Sequence, residues 1–402
     1  MKTKSGYALR VVSVLAVILF LAGVAQSQFV YYLSPAASMQ VPAEMMSWGY
    51  WGVLVAPFGG AFWALALSRV AARWGRRNAL TAGLAVAVVG ALVLALAFYT
   101  YSFPLHLLGL VLLSPAAAVW LQARFIATDV APSDKRGLLL GLAILPMTLG
   151  LVVGSILLIQ ISEPIYQEGR MLGVSSSLSI AIICAIALAL SQAGLRPDPL
   201  ERAAIPGRYR LGKPAWVAIG LIAVAQVPLL PVSYFALNQG NIEGSEGSEG
   251  TAILVYALGV PVAMYTFAWF FGLLTDRFHR ETVALGGLAL QTSALILVAL
   301  APANPGAGVA AMLLVAFGWS AVFVAASTLL VDVSAAAELP IAQGRADAAF
   351  ILVGTFTAAW VPWLSNTTFV VPALILVVLA AGATIGLRGN IHKATLSSAL
   401  PA

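Results

Sequence analysis

About twelve stretches of roughly 20 mostly apolar residues, each long enough to cross a bilayer, follow one another along this 402-residue chain. With 61% hydrophobic and 9% charged residues, it carries more apolar surface than a soluble core can hide, so lipid must solvate part of it. In hydrocarbon every backbone N–H and C=O needs an internal partner, which leaves helices and closed barrels. Barrel strands alternate apolar and polar positions. These stretches are continuous, so the expectation is an all-α integral membrane protein with twelve transmembrane helices.

The stretches read as runs over 11–28, 45–67, 79–98, 104–126, 138–161, 172–195, 215–237 and 251–274, with four more to about 387. The first follows Lys2, Lys4 and Arg10 and could be taken for a signal peptide, with Gly23 and Ala25 near a cleavage site. Its removal would leave eleven runs and break the repeat described below. With the N-terminus placed inside, every one of the 21 Lys and Arg except Arg170 falls at or near a cytoplasmic end. Orientation follows that bias, so both termini are expected in the cytoplasm and the protein in a plasma (inner) membrane. Tyr99, Tyr101 and Phe103 fit an outer aromatic belt. The glycine-rich 238–250 segment reads as an outer loop.

Enzyme chemistry finds no foothold. There is no nucleophile–base set, no Cys/His metal spacing and no phosphate loop, so no cofactor and no metal are expected. The net charge of +6 is spread by topology, which gives no nucleic-acid patch. Cys184 lies inside an apolar run as a structural thiol, and His106, His279 and His392 read as polar boundary residues.

Two basic stretches stand in register. One is Ser68-Arg-Val-Ala-Ala-Arg-Trp-Gly-Arg-Arg77; the other, 204 residues later, is Gly272-Leu-Leu-Thr-Asp-Arg-Phe-His-Arg280. Asp129 and Asp332 repeat at 203 residues, so two landmarks keep nearly one offset, as in a parallel internal repeat. Each basic stretch reads as a tight turn between apolar runs. They resemble the signature loop of the major facilitator superfamily, G-x-L-x-D-R-x-G-R-R, found between helices two and three and again between eight and nine. The fifth run, Gly141-Leu-Ala-Ile-Leu-Pro-Met-Thr-Leu-Gly150 and then Gly154, is also similar to the G-x-x-x-G-P-x-x-G-G pattern of its antiporter branches. Gly141, Pro146 and Gly150 match, while Leu145 and Leu149 replace two glycines. A packing helix with a proline kink explains the same residues.

The resemblance implies two pseudo-symmetric six-helix bundles, 1–195 and 214–402, joined by a cytoplasmic linker at 196–213. It implies a secondary active transporter working by alternating access as a monomer in the bilayer. It also implies that the basic turns gate the inner mouth. This sequence departs from the pattern at Ser68, at Ala72 where aspartate is usual, and at His279 where glycine is usual. A substitute gate is expected in which Asp347 or Asp129 pairs with Arg73 or Arg69, with Arg76, Asp276 and Arg277 completing the set. Arg124 either snorkels to the interface or pairs with Asp129 or Asp332. Ser133 is expected to cap the fifth helix.

No Asp, Glu, Lys or Arg reads as central in any run, so Glu44, at the outer entrance of run two, is the candidate proton site. The family's cavity lies between helices one, four, seven and ten. On those runs stand Gln26, Ser114, Trp120, Gln122, Gln226, Tyr234, Trp319 and Ser320. Amides and aromatics suit a neutral or amphipathic small molecule. Export by antiport against protons is the expectation from the fifth run. Facilitated diffusion, uptake of a nutrient or a metal (a copper-importing branch exists), and a non-transporting sensor or assembly subunit stay open.

Overall fold

The computed structural model describes residues 2–29, 33, 36, 40, 50–165, 169–200, 211–229, 231–233, 259–301, 304–360 and 370–399. Among them the structure is helical, with no strand. The first half holds α1 (Lys2–Gln28), α2 (Tyr50–Trp74), α3 (Arg76–Thr100), α4 (Phe103–Leu113), α5 (Pro115–Asp129), α6 (Arg136–Ile165) and α7 (Gly169–Gly194). The second holds α8 (Lys213–Val224), α9 (Ala268–Arg277), α10 (Arg280–Leu300), α11 (Pro305–Val333), α12 (Leu339–Trp360) and α13 (Val370–Ala399). Eight of the described helical stretches are long and apolar enough to span a membrane. Their outer faces remain apolar: Val89, Leu92 and Leu96 of α3 are exposed, while Leu84, Ala91 and Leu94 of the same helix are buried. A helix that is apolar all round belongs in lipid.

The basic stretches are helix ends, not turns. Helix α2 continues through Arg69 and Arg73 to Trp74, and Gly75 alone separates it from α3. Ala and Arg are strong helix formers and extend the run. Gly75 has φ of +92°, and a Cβ there would sit 2.3 Å from Asp198 Oδ2, so the chain reverses only because this residue is glycine. In the second half α9 carries Gly272 to Arg277, and Phe278 and His279 form the break. The fourth run divides at Ser114–Pro115, where proline removes a donor. The seventh turns at 225–228, while α6 stays helical through Pro146.

Buried apolar side chains form two clusters. One draws on positions 11–195 plus Ala348; the other draws on 215–377 plus Phe125, Leu140 and Ile144. Helix α1 packs on α6, and α3 on α7, while α10 packs on α11; α2 against α12 and α6 against α9 cross between the halves. The fifth-run glycines explain the close approach of α1 and α6. A Cβ at Gly150 would lie 1.9 Å from the Phe20 carbonyl oxygen, and one at Gly154 would lie 2.7 Å from that of Val24. Small residues permit this backbone contact in lipid.

Candidate functional site

The end of the molecule that carries the basic residues is closed by ion pairs and capped helices. Asp276 on α9 accepts from the backbone N–H of Gly137 (2.9 Å) and Leu138 (2.7 Å), at the start of α6 in the other half. Helix N-termini leave amides unpaired, and a carboxylate there gains both hydrogen bonds and the dipole. The cap of α6 is therefore Asp276; Ser133 lies in a short 3-10 turn and contributes its carbonyl to Arg280. Asp332, at the end of α11, accepts from Arg136 (2.6 Å) and Arg280 (3.1 Å). Beside α3, Arg76 donates to Asp129 (3.0 Å) and to Gln343 of α12. Asp198 caps the start of α3, accepting from the amides of Arg76 (3.1 Å) and Arg77 (3.0 Å).

Above this closed end lies a cavity of about 250 Å³ between the halves. Its wall is apolar and aromatic, with Trp120, Tyr265, Trp319, Phe323 and Phe350 prominent, and Gln26 and Ser114 as neutral polar groups. Trp319 stacks on Phe323, with centroids 4.4 Å apart and planes 16° apart, and meets Tyr265 edge-on at 5.6 Å. Arg124 is the one charged side chain among the described lining residues. Its guanidinium carbon stands 4.4 Å from the ring centres of both Phe125 and Phe323. It donates to Asp347 Oδ1 at 2.7 Å and to the Leu121 carbonyl at 2.8 Å. Both partners are essentially inaccessible, at 1% and 0% exposure. Bringing two charges out of water is tolerated only with such pairing.

Residues 13–192 match the family described as "Sugar (and other) transporter". An uncharacterised MFS-type transporter of Bacillus subtilis, YddS, is 27% identical over 316 residues, 74% of this chain and 72% of that protein. The riboflavin transporter RfnT of Brucella anthropi is 26% identical over 296 residues, 71% of this chain and 72% of that one. The fucose:proton symporter FucP of E. coli shares the fold at a TM-score of 0.72 with 16% identity, covering 94% of this chain and 97% of FucP. Together these likenesses support a transporter of the major facilitator superfamily. Its twelve-helix fold and its multi-pass membrane character follow, and it is a secondary transporter of major-facilitator type. Family and fold point to a transporter rather than an enzyme.

Within this superfamily fold the residues singled out by sequence separate into groups. Gln26, Trp120 and Trp319 line the cavity. Gln122 does not: it is 1% exposed and reaches the Ala64 carbonyl at 3.4 Å. Gln226 packs instead near Gly354. Tyr234 and Glu44 lie outside the described residues. The pairing of the acids also differs from expectation. Arg69 donates to the Leu65 carbonyl (3.0 Å) and Arg73 lies over the Trp74 ring, whereas Asp129 takes Arg76 and Asp347 takes Arg124. Arg69 and Arg73 point to the surface because the helix extends through them, and Arg277 is exposed for the same reason. Arg124 neither snorkels nor meets Asp332. The expectation that no charged residue is central in a run fails at Asp347, near the middle of α12, whereas Arg124 lies five residues before the end of α5. Asp347 sits eight residues into α12, roughly 12 Å from its start at the α-helical rise. His106, in the first turn of α4, is buried, its Nε2 3.1 Å from the Leu33 carbonyl oxygen. Tyr265, Phe323 and Phe350 were not singled out in sequence, because an aromatic in an apolar run carries no mark of which side it faces.

Proposed function

We propose that the cavity is the substrate chamber of an alternating-access transporter for a small amphipathic organic molecule. The observation that carries this is the aromatic wall with one ion pair at its closed end. Aromatic faces bind flat apolar bodies, and a few convergent polar groups set orientation. The bundles 1–195 and 214–402 would rock about the chamber as a monomer, with the basic end inside the cell. The helix-end pairs around Asp276, Arg280, Asp332, Arg76 and Asp129 would then act as the inner gate. Resemblance of the fifth run to antiporter branches supports export in exchange for protons, though its glycines already serve packing against α1.

A second reading, uptake of a nutrient, draws on the relative named as a riboflavin transporter. Reconstituted vesicles decide between them. Export by antiport predicts movement of fluorescent amphipathic dyes against an imposed proton gradient, lost in Trp319→Ala. Riboflavin uptake with no dye movement would support the second reading. Parallel runs with Glu44→Gln and Asp347→Asn would show which carboxylate carries the proton dependence.

A further inference from the structure

Three buried polar atoms at the cavity floor meet no protein partner among the described residues: Arg124 Nε, Trp319 Nε1 and Asp347 Oδ2. Two of them belong to side chains that line the cavity, Arg124 and Trp319; Asp347 is absent from the lining and sits behind Arg124. Both lining groups are donors only, since guanidinium and indole N–H groups carry no acceptor. The remaining polar groups of the wall, Gln26, Ser114, the Trp120 indole and the Tyr265 hydroxyl, are neutral. The chamber wall therefore includes the positive member of the pair, while the negative one stands behind it.

The rings decide how a ligand can approach. Phe125 and Phe323 stand over the Arg124 guanidinium, so its edge is what remains for a partner. Edge-on approach is how guanidinium groups meet carboxylates. Asp347 already occupies one edge position through Oδ1 alone. Phe323, which touches Arg124, also stacks on Trp319, so a ring system laid along these aromatics brings its acidic end within reach of the guanidinium. We propose that this chamber recognises a flat aromatic molecule bearing a single anionic group, which Arg124 and the Trp319 N–H receive in competition with Asp347. This rests on the cavity being the substrate chamber, and it fixes the charge and shape of the occupant. A cationic aromatic would face Arg124 and is excluded by the same geometry.

The test uses the full-length protein in lipid nanodiscs and three probes of one shape: 2-naphthoate, 2-naphthamide and 2-naphthylmethylammonium. Binding is read by quenching of tryptophan fluorescence. The expected order is naphthoate over naphthamide by about tenfold, since charge-assisted hydrogen bonds are roughly twice as strong as neutral ones. Asp347→Asn should tighten naphthoate several-fold and leave naphthamide unchanged. Because removing Arg124 alone strands a buried acid, the charge-free variant is Arg124→Gln with Asp347→Asn; it should lose the preference for naphthoate over naphthamide. Equal affinity for acid and amide, preference for the ammonium, or weaker naphthoate binding in Asp347→Asn would each overturn the anion assignment while leaving the chamber standing. No binding of any probe would overturn it together with the chamber, and the dye and riboflavin assays, which use other compounds, would then fail as well.

Discussion

A single methyl group distinguishes positions in close backbone contact from positions in open space. At Gly150 an added Cβ would lie 1.9 Å from the Phe20 carbonyl oxygen, within one half, where backbone cannot yield cheaply. At Gly382 on α13 it would meet nothing within 4 Å. Gly150→Ala should therefore lower the melting temperature in detergent, with an overpacking cost of about 1–3 kcal/mol, while Gly382→Ala should leave it unchanged or raise it slightly. Scanning fluorimetry of the two variants side by side checks this. A neutral Gly150→Ala would mean that α1 and α6 can part without loss. The residue scale is also where sequence failed most. Arg124 and Asp347 stand 223 positions apart, each a turn or more from its helix end, and nothing local marks them as partners. Gln122 and Gln226 looked like cavity amides on the right runs, yet both face helix neighbours.

Elements rather than residues explain why the first basic stretch lacks its acid. In the second half Gly272 crosses Gly137, and a Cβ on either would lie within 2.6 Å of the other's carbonyl oxygen; Gly137 opens α6, so its amide is free for Asp276. In the first half Ser68 crosses Gly344 in the same way. Gly344 is the sixth residue of α12, and its amide is already inside the helix. An acid at position 72 would have no amides to cap, so alanine loses nothing there. Asp276→Ala should expose the first amides of α6 only while the basic end is closed. Losing such a cap costs about 0.5–2 kcal/mol, a shift toward the open form of roughly two- to thirtyfold. Ala72→Asp should give no opposite gain. Labelling of Leu121→Cys by an impermeant thiol reagent from the basic side reads both, since Cys184 is buried and silent. Faster labelling in Asp276→Ala with none of the slowing in Ala72→Asp is the expected pair. Apolar length and the two offsets made the helices and their repeat legible in sequence. Helix ends were not, because α2 and α9 run on through stretches that read as turns, in α2 on strong helix formers.

At the scale of the whole molecule the repeat is chemical as well as topological, but its two copies lie in different surroundings. Arg76 and Asp129 recur as Arg280 and Asp332, and both couples are paired. The first is sealed, with side chains 1% and 5% exposed; the second is open, at 16% and 30%. At similar distance the sealed pair attracts more strongly because its surroundings have the lower dielectric, and it also leaves the costlier remnant when one partner goes. Arg76→Ala strands a buried carboxylate and should cost about 3–5 kcal/mol, a large share of a net stability of roughly 5–15 kcal/mol. Arg280→Ala leaves Asp332 with solvent and Arg136, and should cost no more than about 1 kcal/mol. Arg76→Ala should therefore yield little monodisperse protein, Arg280→Ala near-normal amounts, and Arg76→Ala with Asp129→Ala should recover most of the loss, because no charge is then left buried. Size-exclusion profiles of the three from equal cultures would measure this. A double variant as poor as the single one would show that Arg76 matters through Gln343 and its packing rather than through the charge of Asp129.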